Sequence, residues 1–153
     1  MQRISQISLI FDDNGSFHDD LMLQIGDKSW RCDSYYLLID NLLLPHQEDA
    51  QKVVIVLKRL LAQWSAALTD LTDSQSCYLP YDFSDQHTGW LRCECRGSDI
   101  RVEKGWSDLN GYSFLPSEVG ELLHRVPNFR PDPEVFVILR DDFLRSIATV
   151  QND

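Results

Sequence analysis

Cysteine and histidine are the residue types of this chain that could supply a nucleophile, a base or metal ligands. They are Cys32, Cys77, Cys93, Cys95, His18, His46, His87 and His124. A nucleophilic site needs a thiol or hydroxyl, a base and an orienting group. Cys77 and His87 would form such a pair only if folding brought them together. The histidines otherwise stand alone in turns and polar stretches, so we predict exposed histidines without a catalytic role.

The cysteines would also allow a metal site or disulfides by number. Cys93 and Cys95 would project from one face of a strand, but no CxxC pair or neighbouring histidine completes a set of zinc ligands. The residues from Met1 to Ser5 are not followed by the long apolar run of a secretory signal. Because disulfides form mainly in secreted proteins, reduced thiols are expected. We therefore predict buried, structural thiols and neither a metal nor another cofactor.

Adjacent carboxylates are the third group with chemical potential, because such pairs can bind calcium or carry out acid–base catalysis. They occur at Asp12-Asp13, Asp19-Asp20, Glu48-Asp49 and Asp141-Asp142. The run from Asp12 to Gly15 lacks the spaced ligands and closing glutamate of an EF-hand. Solvated turns and helix starts therefore explain the pairs better. The sequence contains no dinucleotide or phosphate-binding glycine motif, no GxSxG and no HExxH.

Aromatic residues placed directly after glycines are candidates for a binding surface. They are Trp90, Trp106 and Tyr112, which follow Gly89, Gly105 and Gly111. Tryptophan and tyrosine dominate the residues that contribute most to protein binding, so these three could be anchors at the rim of an interface. The alternative, which the pattern favours, is that they pack in the core and close the ends of a sheet.

The net charge is the strongest global feature of the sequence. Twenty-four acidic residues against fourteen basic ones give −10 at pH 7, and most of that excess lies in the first fifty residues. Such acidity argues against nucleic-acid binding, which needs basic residues, and would steer the chain toward a basic protein. Solubility is the alternative explanation. The candidate partner-binding carboxylates lie in or beside the first predicted turn and are Asp12, Asp13, Asp19 and Asp20.

A long amphipathic helix from Glu48 to Leu71 is the element around which the rest is expected to pack. Its apolar residues recur at steps of three and four, which is the period of a helix buried on one face. The predicted buried face consists of Val53, Val54, Leu57, Leu60, Leu61, Trp64, Leu68 and Leu71. Ile55 falls on the polar side, and Pro45 marks the break before the helix.

Two antiparallel meanders are predicted around this helix. In the first, the turn at Asn14-Gly15 joins a strand over residues 7–11 to a return strand that begins near Phe17. Residues 34–44 favour a short helix, with an extension of the third strand as the alternative. In the second meander, Pro80 restricts residues 77–83 to an edge or irregular strand.

The C-terminal part is predicted to contain a short strand at 111–114, a short helix from Leu115, a strand over 134–140 and a helix over 141–149. A single helix from Pro133 onward is the alternative, but Val137 and Ile138 interrupt its apolar face. Together these elements predict a single α+β domain over residues 1–153, with a mainly antiparallel sheet against the long helix and shorter helices after it.

The leading functional hypothesis is a non-catalytic domain that binds a basic protein. In size and charge the chain is similar to immunity proteins that neutralise bacterial toxins, often nucleases, by covering a basic active site. A small enzyme with a site assembled from unconnected residues and a regulatory or assembly subunit that forms homo-oligomers are the alternatives. No stretch approaches the roughly 20 apolar residues of a membrane span, so we expect a soluble, cytoplasmic protein without a membrane partner.

Overall fold

The computed structural model describes residues 1–42 and 47–151, and within them it contains two sheets and three α-helices. The strands are β1 (Gln2–Arg3), β2 (Ile7–Phe11), β3 (Leu21–Ile25), β4 (Lys28–Cys32), β5 (Ser76–Phe83), β6 (Thr88–Arg96), β7 (Asp99–Ser107) and β8 (Arg130–Leu139). The helices are α1 (Tyr35–Leu38), α2 (Ala50–Asp70) and α3 (Arg140–Gln151), with a 3₁₀ helix at Gly120–Leu123. The predicted α+β class is confirmed.

The predicted meanders are both present, each in its own sheet. One sheet has the strand order β2-β3-β4 and is antiparallel throughout. The other has the order β1-β8-β7-β6-β5, in which only the pairing of β1 with β8 is parallel. As predicted, the strand with Pro80 is an edge strand, and its pairing with β6 is irregular between Pro80 and Asp82.

The long helix α2 is slightly shorter than predicted at both ends. It begins after Asp49, whose carboxylate accepts a hydrogen bond from Lys52 N at 3.1 Å, and it ends before Leu71, which has an extended backbone. Arg140 binds the carbonyl of Leu71 at 2.9 Å, beyond the last turn. The predicted Pro45 break lies outside the described residues.

The buried face of α2 agrees with the predicted one except at Val54. Val54 is 38% exposed because it lies at the margin of the apolar arc and borders an open groove with β2 and α3. Lys52, which was not part of the predicted face, is 2% exposed. In the C-terminal half of the helix, Trp64 is fully buried and its Nε1 donates to Pro80 O at 3.1 Å. This bond ties the helix to the edge strand.

The predicted pairing of the first two strands of the first meander is confirmed, but the tight turn at Asn14-Gly15 is wrong, because β2 and β3 are joined by a longer loop over residues 12–20. Side chains of the loop bind its own backbone: Asp13 Oδ1 accepts from Gly15 N, and Asn14 Oδ1 accepts from Ser16 N, each at 2.9 Å. Such bonds favour a local loop over continued strand pairing. Phe17 has φ of 63°, so it lies in this loop and not in the return strand.

The remaining predictions differ mainly in their boundaries. The short helix near residue 35 is confirmed as α1, and residues 43–46 of the predicted stretch lie outside the described part. The C-terminal strand and helix are confirmed, although β8 begins at Arg130. Residues 111–114 form no strand. The helix expected from Leu115 is the 3₁₀ helix that starts at Gly120, where φ is +70°.

The cysteines are free and buried, as predicted. Cys77 and Cys93 are directly opposite each other on β5 and β6, inside the core. No described helix combines the length and apolar character needed to cross a membrane.

Candidate functional site

Two neighbouring clefts lie where the ends of the two sheets meet. The first, of about 580 Å³, has walls that include His18, Asp33, Tyr35, Tyr36 and Asp85, and we call it the tyrosine cleft. The second, of about 510 Å³, has walls that include Asp82, Lys104, Trp106 and Asp132, and we call it the tryptophan cleft. Gln86 and His87 border both clefts. We refer to the two clefts together with loop 12–20 as the acidic face.

Loop 12–20 is held in place by carboxylates at its two sides. Asp20 is fully buried, and its oxygens accept hydrogen bonds from Ser34 N at 2.9 Å and from Ser34 Oγ at 2.8 Å. Asp19 N donates to Asp33 Oδ1 at 2.8 Å. Arg31 binds Asp12 Oδ2 at 3.1 Å and the carbonyl of Asp19 at 3.3 Å. The loop is therefore fixed to β4 and to the start of α1.

The tyrosine cleft joins the loop to the turn between β5 and β6. His18 stacks on Tyr35 with ring centroids 6.1 Å apart, and its Nδ1 is 3.4 Å from Asp33 Oδ2. Tyr36 donates its hydroxyl to Asp85. Burial and this bond raise the pKa of Tyr36 to about 12, so it remains a hydrogen-bond donor at neutral pH.

Residues 111–112 reach the same turn from the other side. Gly111 N donates to Ser84 O at 2.7 Å, and a Cβ on Gly111 would lie 2.8 Å from that oxygen, so a larger residue would not fit. This close approach places Tyr112 beside the tyrosine cleft, with 69% of its surface exposed. The tyrosines around this cleft therefore come from α1 and from the 111–112 segment.

Cation–π contacts shape the tryptophan cleft. The guanidinium carbon of Arg130 lies 4.8 Å from the ring centre of Trp106, and Arg130 Nη2 is 3.6 Å from Asp108. Lys104 binds Asp132, and its ammonium lies 4.8 Å from the ring centre of Trp30. These contacts fix Lys104 in the wall of the cleft and hold Arg130 against the ring of Trp106.

Asp82 is a half-buried carboxylate in the same cleft. Burial raises its pKa and the charge of Asp33 adds to the rise, whereas His87, a hydrogen bond from Phe83 N and the charge of Lys104 oppose it. The effect of burial on the pKa of Asp82 is thus larger than the opposing effect of the nearby cations, because the carboxylate loses hydration that those groups do not replace.

The acidic face contains more carboxylates than lysine and arginine side chains that could neutralise them. Its basic side chains Arg31, Lys104 and Arg130 are each engaged with an aspartate. Across residues 1–42 and 47–151, no lysine or arginine side chain forms an ion pair with Asp19, Asp33, Asp82 or Asp85, which leaves an excess of negative charge beside exposed aromatic rings.

Five of the seven candidate residues from the sequence lie at or beside this face: Asp12, Asp13, Asp19, Trp106 and Tyr112. Asp20 and Trp90 do not offer a surface, since both are fully buried. Asp20 is occupied by Ser34. Trp90 donates its Nε1 to Thr88 Oγ1 at 2.7 Å and packs against Phe114, so it follows the core alternative.

Several residues of the face were missed from the sequence, namely Asp33, Tyr35, Tyr36, Asp82, Asp85 and Asp132. The consecutive tyrosines directly after Asp33-Ser34 are a signal that could have marked part of it. The others lie on β5, β8 and the turn after β5, and only the tertiary fold brings them to the loop.

The geometry does not support the catalytic pair considered from the sequence. Cys77 is opposite Cys93 and lies six residues before the end of β5. Six residues of strand place Cys77 roughly 20 Å from the turn that carries His87. Ser84 Oγ is 3.1 Å from His87 Nδ1, but the same hydroxyl also binds the backbone N and O of His87 and so closes the turn. Among the described residues no cluster of three or more histidine, cysteine, aspartate or glutamate side chains is arranged to hold a metal ion.

No protein-family model, curated protein or solved structure matches this chain. The case for a functional site therefore depends on the geometry and charge of the acidic face.

Proposed function

We propose that the chain is a non-catalytic protein-binding domain that captures a basic protein through the acidic face. The observation that carries the proposal is the combination, at one end of the molecule, of exposed aromatic rings and carboxylates that no lysine or arginine of the described residues neutralises. Asp19, Asp33 and Asp85 supply the charge, and Tyr35, Trp106 and Tyr112 supply apolar surface.

The two kinds of side chain have different roles in such binding. Exposed carboxylates attract a basic protein over a distance and so mainly raise the association rate. Tryptophan and tyrosine bury large areas with little loss of conformational entropy, and so they slow dissociation. The hydrogen bonds that fix loop 12–20 reduce the cost of ordering it on binding.

A basic toxin or nuclease is the kind of partner that suits this proposal best. Nucleases bind phosphates through basic surfaces, and an acidic face that covers such a surface would block the substrate. Free, buried thiols suit a reducing compartment, so we place the protein in the cytoplasm within the same proposal.

An assembly role is the second candidate, and a groove of about 620 Å³ between β2, α2 and α3 favours it. Ile10, Val54 and Leu57 give this groove an apolar surface that a second copy of the chain could cover. A mass that rises with concentration in sedimentation would favour this role. A constant monomer mass would leave the acidic face as the better candidate.

Capture by immobilised protein, followed by mass spectrometry, tests the proposed function. The acidic-face variant replaces Asp12, Asp19, Asp33 and Asp85 with asparagine. Asparagine keeps an acceptor oxygen at each position and is tolerated at Asp19, where φ is 53°. The matched control carries Asp27→Asn, Asp70→Asn, Glu118→Gln and Glu121→Gln, which removes the same charge from exposed positions outside the face.

We expect the wild type and the control to retain the same basic proteins, and the acidic-face variant to lose them. Retention of those proteins by the acidic-face variant, or loss of them by the control as well, would contradict the proposal.

A further inference from the structure

We propose that the tryptophan cleft is the seat of one arginine side chain of the basic partner, held between the carboxylate of Asp82 and the indole of Trp106. This inference rests on the proposed function and specifies which group the partner inserts. It follows from the residues that line the cleft, from a carboxylate without a lysine or arginine partner among the described residues and from an aromatic ring that already stacks with a guanidinium.

The carboxylate of Asp82 has no cation of its own in this fold. It is half-buried in the wall of the cleft, and within the described ranges no ion pair reaches it. Lys104, the nearest lysine in the cleft, is engaged with Asp132 and with the ring of Trp30. A withdrawn carboxylate without a partner is unfavourable for the free protein. A guanidinium from outside would remove that penalty on binding.

The charge around Asp82 also favours a cation. Asp132 borders the same cleft and Asp33 is close enough to raise the pKa of Asp82, whereas Lys104 and His87 act in the opposite direction. Because Asp132 compensates Lys104, the cleft as a whole remains attractive to a positive group.

The indole of Trp106 supplies the second contact. Arg130 stacks on this ring at 4.8 Å, while 38% of the residue remains exposed and the ring borders the cleft. The ring therefore binds one guanidinium within the chain and keeps surface for another. Tryptophan is the aromatic residue that attracts cations most strongly.

Arginine fits these two contacts better than lysine does. Its planar guanidinium can donate two parallel hydrogen bonds to a carboxylate and stack on an aromatic ring at the same time. An ammonium group is more strongly hydrated and offers no plane to stack. The volume of about 510 Å³ is within the range of pockets that enclose small ligands, roughly 300–1,000 Å³.

Titration with a single amino-acid derivative tests the seat without the partner. N-acetyl-arginine methylamide is added to ¹⁵N-labelled protein while the indole N–H signal of Trp106 is followed by NMR. The neutral citrulline derivative, which has almost the same shape, and the lysine derivative serve as comparison ligands. Asp82→Asn is the test variant, because asparagine retains the acceptor for Phe83 N, and Asp27→Asn is the control with the same charge change.

We expect the arginine derivative to shift the Trp106 signal with a dissociation constant of about 1–10 mM, as for a contact of one side chain. Asp82→Asn should weaken this binding at least about tenfold, Asp27→Asn should leave it within twofold, and lysine should bind several-fold more weakly. An unshifted Trp106 signal, equal binding by Asp82→Asn, or equal effects of citrulline or lysine would overturn the proposal.

The outcome is separable from that of the capture experiment. If the titration fails while capture still depends on the acidic face, the protein-binding function stands and the arginine seat falls. If the titration succeeds but capture does not depend on the face, the proposed function is the part that fails.

Discussion

Asp20 and Asp82 are both withdrawn from solvent, but their surroundings give them opposite effects on the protein. Asp20 receives two hydrogen bonds from Ser34, which offset the loss of water around its carboxylate. Asp82 accepts a bond only from its neighbouring backbone and has no compensating cation in the described structure. The first residue therefore stabilises the loop, and the second is retained at a cost to stability, as is common for groups at binding sites.

Replacement of Asp82 by asparagine is expected to stabilise the folded protein at pH 7. A carboxyl whose pKa is raised by folding contributes stability at low pH and loses it as the pH rises through the folded pKa. At pH 7 the ionised Asp82 therefore opposes folding, and Asp82→Asn should raise the Tm. The gain should shrink as the pH falls toward the ordinary pKa of 3.8, because protonated Asp82 and asparagine are both neutral.

Thermal unfolding of the wild type, Asp82→Asn and Asp27→Asn over a range of pH measures this effect. Asp27 is exposed, so its variant accounts for the general change in net charge. A Tm for Asp82→Asn no higher than that of Asp27→Asn at pH 7 would show that the carboxylate is not strained by burial.

The residue scale is also where sequence reasoning was weakest. Asp19 and Asp20 are adjacent and chemically identical, and nothing in the sequence distinguishes the exposed one from the one bonded to Ser34. Trp90 and Trp106 likewise both follow a glycine, yet only Trp106 reaches the surface. Burial of a single side chain depends on contacts between distant segments, and one sequence does not contain that information.

At the scale of elements, α2 was the most predictable because many positions repeat one period. A mistake at one position, such as Val54, leaves the rest of the buried face unchanged. The loop at 12–20 was less predictable, because side-chain bonds to the backbone compete with a tight hairpin. The acidic face has one predictable and one unpredictable feature. Its negative charge could be predicted from the sequence, but Asp82 and Asp132 reach this face only through the tertiary packing of the two sheets.

Truncations on α2 test its orientation. Leu61 is almost fully buried, and Leu61→Ala should reduce the free energy of unfolding by about 2–5 kcal/mol. Val54→Ala removes an apolar side chain on the exposed margin of the same helix, and it should cost less than about 1 kcal/mol. Denaturant unfolding compares the two, and equal losses would mean that Val54 belongs to the core.

At the scale of the whole molecule, acidic residues occur along the entire chain, but they differ in whether a basic side chain pairs with them. Glu94 and Glu103 on the five-stranded sheet are paired with arginines. On the acidic face Asp19, Asp33, Asp82 and Asp85 lack such partners in the part of the chain that the structure describes. Asp27, Asp70, Glu118 and Glu121 are exposed and lie outside the face. The acidic face differs in that its carboxylates lie beside exposed tyrosine and tryptophan, so we expect steering of a basic protein to depend on this face.

Association kinetics with the basic protein identified by capture test this claim most directly. The association rate constant is measured for the wild type, the acidic-face variant and the charge-matched control at low and high salt. The screening length falls from about 30 Å at 0.01 M salt to about 3 Å at 1 M, so high salt should remove steering by exposed charges.

The wild type and the control should associate at least about tenfold faster at low salt than at high salt, because both keep the acidic face. The acidic-face variant should associate slowly under both conditions. Equal rate constants for all three proteins at each salt concentration would contradict capture of a basic partner by this face.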